Sequence, residues 1–101
     1  MIIVAGEITV ETGAVEAVRD ALRTMEIETR KEPGCSTYAF SVDVNDPNMV
    51  RIFEVWESME ALTEHFQMPH MAAFGAAVSK IQATSFAVKA YEVDREVPLP
   101  R

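Results

Sequence analysis

Hydrophobic and polar positions partly alternate over residues 2–10, Ile-Ile-Val-Ala-Gly-Glu-Ile-Thr-Val, with Ile2, Val4, Ile8 and Val10 on one side. A period near two with β-branched residues predicts a half-buried strand. The period then changes. From Thr12, a candidate N-cap, apolar residues fall at Val15, Val18, Leu22 and Met25, the stripe of an amphipathic helix. Its polar face carries Glu16–Arg19, Asp20–Arg23 and Glu26–Arg30 pairs, read as a solvated surface. Pro33-Gly34 ends this helix. A second strand is predicted from Cys35 to about Val44. Asn45-Asp46-Pro47-Asn48 then forms a turn, and a third strand spans Met49 to Glu57, closing an antiparallel hairpin. Ser58 caps a second helix, with Glu60 in its first turn and Leu62, His65 and Phe66 on one face. Pro69 must break or bend it before the pattern resumes at Met71, Phe74, Val78 and Ile81. A last strand, about Gln82 to Val93, completes the alternation.

The order βαββαβ predicts an α+β, ferredoxin-like fold, a four-stranded antiparallel sheet with both helices on one face. One domain is expected over residues 1–95, followed by a tail, 96–101, in which Pro98 and Pro100 prevent regular structure. The helices can cover only one face of the sheet. Strand three offers Ile52 and Trp56 on one side and Phe53 and Val55 on the other, and the last strand Phe86 and Val88 against Ala87, Tyr91 and Val93. The uncovered face requires another cover, most economically the same face of a second copy, so a homodimer is expected.

Composition narrows the partners. Sixteen acidic against nine basic side chains give a net charge of −7, which repels a polyphosphate backbone and makes nucleic acid and anionic membrane poor partners. Apolar runs fall far short of the roughly 20 residues of a membrane span, the N-terminus lacks a signal-peptide layout, and a cytoplasmic location is expected. Cys35 is the sole cysteine, so an internal disulfide and a cysteine metal cluster are both excluded. It reads as a small hydrophobe at a strand start rather than a reactive thiol.

Glycine-rich phosphate loops, nucleophile elbows and the H-E-x-x-H zinc motif are absent. No cofactor is expected from the motifs. His65 and His70 are five residues apart, which on a continuous helix separates them by about 140°, so a shared metal would need the Pro69 break to realign them. His65, on the apolar face beside Leu62 and Phe66, reads either as a satisfied core histidine or as a general base. His70 opens the segment after Pro69, as an exposed helix end or a second polar group of a pocket. Tyr38, Trp56, Phe66, Met71 and Phe74 form an aromatic and thioether lining that fits either a core or a site for a flat apolar ligand. Glu54, costly to bury unpaired, is expected to pair with Arg51 or with a second subunit.

The run Glu54-Val55-Trp56-Glu57-Ser58, then Ala61, His65, Pro69-His70 and Phe74, resembles the antibiotic biosynthesis monooxygenase family, as do Glu32-Pro33-Gly34-Cys35 and Asp46-Pro47 upstream. The likeness is greatest to its small quinol monooxygenase-like members. It implies a dimeric α+β barrel with one pocket per subunit between sheet and helices. In some members it implies oxygenation of a phenol or quinol by O₂ without metal or flavin, for which His65 is the candidate base and His70 the second. Related haem-degrading domains carry an asparagine, a tryptophan and a haem-ligating histidine where this chain has Glu7, His65 and Gly75, which argues against haem. Two alternatives remain within the resemblance: a non-oxidative isomerase of a small phosphorylated metabolite, which would want Arg51 or Lys89 near the site, and a non-catalytic ligand-binding dimer.

Overall fold

A computed structural model describes residues 1–100. Among them, four strands and four helices follow in the order β1 (Ile2–Val10), α1 (Ala14–Ala17), α2 (Arg19–Thr29), β2 (Cys35–Asp43), β3 (Asp46–Trp56), α3 (Met59–His65), α4 (Pro69–Val78) and β4 (Ala83–Glu92). The strands form one sheet in the order β2-β3-β1-β4, with every neighbouring pair antiparallel. This is the ferredoxin-like α+β sheet that the hydrophobic pattern predicts.

Local details depart from the expectation in three places. The first helix starts after Gly13, whose φ of 82° is the left-handed conformation glycine accepts, and no side chain caps it, so Thr12 is not the N-cap. At Val18 the helix tightens, its N–H reaching both Ala14 O and Val15 O, and this divides α1 from α2. The hairpin turn shortens to Val44-Asn45, because the carboxylates of Asp43 and Asp46 accept the backbone N–H groups of Asn45 and Asn48, both at 2.9 Å. Pro47 thus falls inside β3, which tolerates it because β1 pairing has already stopped at Met49.

The α2 charges do more than solvate a face. Glu26 accepts the Phe40 N–H at 2.8 Å and Arg30 Nε donates to Tyr38 O at 2.9 Å. Together they satisfy backbone groups along the edge strand β2 and tie α2 to it.

On the helix-covered face, Ile2, Val4, Met25, Tyr38, Trp56 and Leu62 make the core, with Cys35, Phe40, Ile52, Met71, Phe74 and Val88 packed against it. Residues 83–92 stay largely exposed, so the helical layer leaves the β4 side of the sheet open. The opposite face carries Ile3, Val55 and Tyr91 in one register row and Ala5, Phe53 and Lys89 in the next. Phe53 and Tyr91 are about half exposed there, at 45% and 51%. Arg51 lies on this outer face, paired with Asp43 and, at 3.3 Å, with Glu7. Residues 93–100 have no regular structure, and Arg101, the end of the expected tail, lies outside the described residues. Among the described residues no helix is long and apolar enough to cross a membrane.

Candidate active site

The turn between α2 and β2 sets the first element of the site. Gly34, at φ 83°, lies so close to α3 that an added Cβ would sit 2.7 Å from the Ala61 Cβ, and Glu57 N–H donates to its carbonyl at 2.8 Å. A side chain at position 34 would push this turn off the start of α3. The close approach carries Glu32, two residues earlier, into the interior beside the end of α3. Ser58 begins α3 by accepting the Ala61 N–H at 3.2 Å, and the helix stops at His65. Met68 is extended, and Pro69 opens α4 at the position where its missing N–H costs nothing.

That break removes the 140° separation expected of the two histidines. His65 Nδ1 and His70 Nε2 both stand 2.7 Å from the same oxygen, Glu32 Oε2. His65 is 2% exposed and Glu32 8%. The carboxylate oxygen accepts an N–H from each ring, which fixes His65 with its proton on Nδ1. His65 Nε2 has no hydrogen-bond partner among the described residues. It is not sealed either, because Thr29 Oγ1 is the one fully buried, unpaired side-chain polar atom among the described residues. His65 is also one of the residues that line a cavity between the sheet and the helices.

The cavity holds about 370 Å³ between the sheet and the helices, and Ala83, Phe86 and Val88 of β4 form one of its walls. Tyr38, Phe66, Met71 and Phe74 also line it, as does Phe40, stacked on Phe74 with ring centroids 5.9 Å apart. Its polar groups cluster at Glu54, His65 and Tyr38. Burial, reinforced by the nearby Glu54 and Glu32 carboxyl groups, pushes the Tyr38 hydroxyl far up, so it stays a neutral donor. Among the described residues no lysine or arginine lines the cavity.

Two expected site residues, a wall and a second base, sit elsewhere. Trp56 is fully buried in the core, its ring 4.9 Å from His65 between centroids, and it does not line the cavity. His70 faces a smaller hollow between α2 and α4 that is also lined by Asp20, Thr24 and Phe74. The expectation for Glu54 also requires correction. Residues 51 and 54 of a strand point to opposite faces, so Glu54 cannot reach Arg51 and lies inside, 5% exposed, with Oε1 accepting Trp56 Nε1–H at 2.7 Å. Cys35 is half-buried, and burial raises its thiol above the ordinary value, as befits an inert side chain.

The residue missed entirely by sequence reasoning is Glu32. It stood in the quoted Glu-Pro-Gly-Cys run without a role, and only the turn geometry brings it to both histidines. Glu32, His65 and His70 each offer one ligand atom within 4.8 Å of the others, a donor set chemically suited to a divalent transition metal. The 2.7 Å separations are those of hydrogen bonds, which already satisfy the three groups.

This chain belongs to the antibiotic biosynthesis monooxygenase family, whose model matches residues 1–77 and so includes every histidine and carboxylate of the site. An uncharacterized protein of Synechocystis is 34% identical over 92 residues, covering 91% of this chain. The chain spans only 63% of that relative's length. Escherichia coli YgiN, named a probable quinol monooxygenase, is 35% identical over 71 residues, 62% of this chain and 68% of YgiN. Among solved structures, Mycobacterium tuberculosis Rv0793 superposes with a TM-score of 0.82 at 28% identity, covering 96% of this chain and 98% of its own. A Deinococcus radiodurans protein assigned to the same family gives 0.87 at 25% identity, covering 98% of each chain.

Proposed function

We propose that this chain is a cofactor-independent monooxygenase that oxidises a small, neutral phenol or quinol with O₂. The observation that carries the reading is His65: Glu32 takes its Nδ1 and leaves Nε2 without a hydrogen bond, on a residue that lines an apolar cavity. Nε2 takes the phenolic proton, and Glu32 stabilises the resulting imidazolium. The phenolate is electron-rich enough to reduce O₂ itself, and the apolar walls position its ring for that step. The kinship with YgiN supports a quinol-like substrate. Tyr38, Phe66, Met71 and Phe74 supply flat, apolar contact, while His70 braces Glu32 from the far side.

A phosphorylated substrate finds less support. Arg51 and Lys89, the cations such a substrate would want, lie on the other face of the sheet, and the cavity carries a carboxyl instead. The test is oxygen consumption over a panel of hydroquinones and phenols: turnover by the wild type, lost in His65→Ala, is expected. Equal turnover by the two proteins would sink the reading. A ligand retained through purification, with no turnover by the wild type, would favour a non-catalytic binding protein.

Glu32→Gln is expected to lower kcat by roughly 10²–10⁴-fold with little change in KM, as does removal of the carboxylate behind a catalytic histidine. An amide can present its NH₂ to Nδ1 and move the ring proton onto Nε2. Steady-state kinetics checks this, and a change confined to KM would show that Glu32 only shapes the cavity.

The working unit we propose is a homodimer joined through the outer face that carries Ile3, Phe53, Val55 and Tyr91. Light scattering at micromolar concentration is expected to give twice the 11.2 kDa chain mass. Phe53→Lys is expected to shift it to the monomer.

A further inference from the structure

The cavity contains a second ionisable group that proton abstraction by His65 does not use. Glu54 lies at the middle of the inner face, in register with Val4 on β1 and Tyr38 on β2. One oxygen is occupied by the Trp56 N–H. The other has no hydrogen-bond partner among the described residues, and Glu54 lines the same cavity as His65. Burial is the main influence on this carboxyl and raises it above the usual range. The Trp56 hydrogen bond and His65 pull it down without reversing the shift, and Glu32 adds to the rise. A base and a carboxyl whose burial favours its protonated form, lining one largely apolar cavity, make the pattern of a divided acid–base pair.

Oxygenation of a phenol needs both. Overall, a phenol with a neighbouring ring C–H and O₂ give a quinone and water. His65 takes the O–H proton, the ring carbon bonds to O₂, and the product of that step is a peroxide anion. The anion must gain a proton before its O–O bond can break. When the bond breaks, the ring C–H is lost as a proton, the carbonyl forms, and the departing hydroxide takes up a proton to become water. We propose that Glu54 is the acid of this site, protonating the distal oxygen of the substrate peroxide and then accepting the ring C–H proton. His65 returns its proton to the hydroxide, and both groups end as they began. The assignment rests on the monooxygenase reading above.

Glu54→Gln tests it, because glutamine can still accept the Trp56 N–H but cannot donate an acid proton. In the wild type, quinone formed should match O₂ consumed. In the variant, O₂ uptake should persist and still depend on His65, while quinone per O₂ falls tenfold or more and the missing oxygen is recovered as the uncleaved substrate peroxide. Full coupling at the wild-type rate in the variant would overturn the role of Glu54 alone. An absence of O₂ uptake by the wild type over the whole panel would remove the monooxygenase reading and this assignment with it.

Thermal stability against pH supplies a readout independent of turnover. A carboxyl raised in the folded state contributes stability that is present below the ordinary glutamate value and is lost as pH rises through the folded one. The groups that share this pocket are Tyr38 from β2, Trp56 from β3, His65 from α3 and Glu32 from the turn. The Gln variant should therefore gain on the wild type as pH rises toward neutrality. A gap that instead widens against the variant as pH rises would show an ionised Glu54 held for structure, contrary to the proposal.

Discussion

Alanine at position 65 is expected to lower kcat/KM for a phenolic substrate by roughly 10²–10⁴-fold, the usual share of a positioned general base. The effect should be large because no other group can stand in. His70 has its Nε2 on Glu32 and faces a different hollow, burial favours the protonated form of Glu54, and the Tyr38 hydroxyl is held neutral. His65→Ala also leaves Glu32 with a single partner in a buried position, so folding must be measured beside the kinetics. His65→Gln retains a donor for Glu32 and separates the two effects. It should keep the melting temperature near that of the wild type while remaining as inactive as alanine. Activity recovered by glutamine would show that the imidazole serves only to fill and brace the core.

The largest loss of stability is expected from Trp56→Ala. The side chain is fully buried, packs in the cluster of Ile2, Val4, Met25, Tyr38 and Leu62, and gives its indole N–H to Glu54. Truncation of a buried tryptophan costs about 3–5 kcal/mol, against a total of about 5–15 kcal/mol for a typical domain. For about 100 residues, that corresponds to a fall in Tm of roughly 12–40 °C. The hydrogen bond can be separated from the packing with Trp56→Phe, which keeps most of the buried ring and is expected to cost about 1–3 kcal/mol through the unpaired Glu54. Urea denaturation of both variants checks the order. A phenylalanine variant as damaged as the alanine one would mean that the Glu54 contact dominates over the core.

Periodicity was enough to read much of the architecture. Ile2, Val4, Ile8 and Val10 mark the buried face of β1, the stripe from Val15 to Met25 marks the first helical region, and each proline or turn cluster falls at or near an element end. These signals are local. A strand or helix declares its buried side within a few residues, and four strands with two helical regions in this order leave few ways to cover one sheet face. The proline between His65 and His70 also announced that simple helical geometry would fail there.

What the local pattern could not supply is the direction in which that failure resolves. Glu32 is 33 residues from His65 and 38 from His70, and no periodicity links positions so far apart. Their meeting depends on Gly34 letting the turn lie against Ala61 and on the extended Met68 rotating α4 relative to α3. Glu54 shows the same limit. Its charge suggested an interface, but strand alternation assigns it only a face, and the cover of that face is a tertiary fact. The sequence by itself determined the elements, their order and which residues were available for chemistry. The tertiary structure decided which of them meet, because a shared hydrogen bond between distant residues exists only once the chain has closed around it.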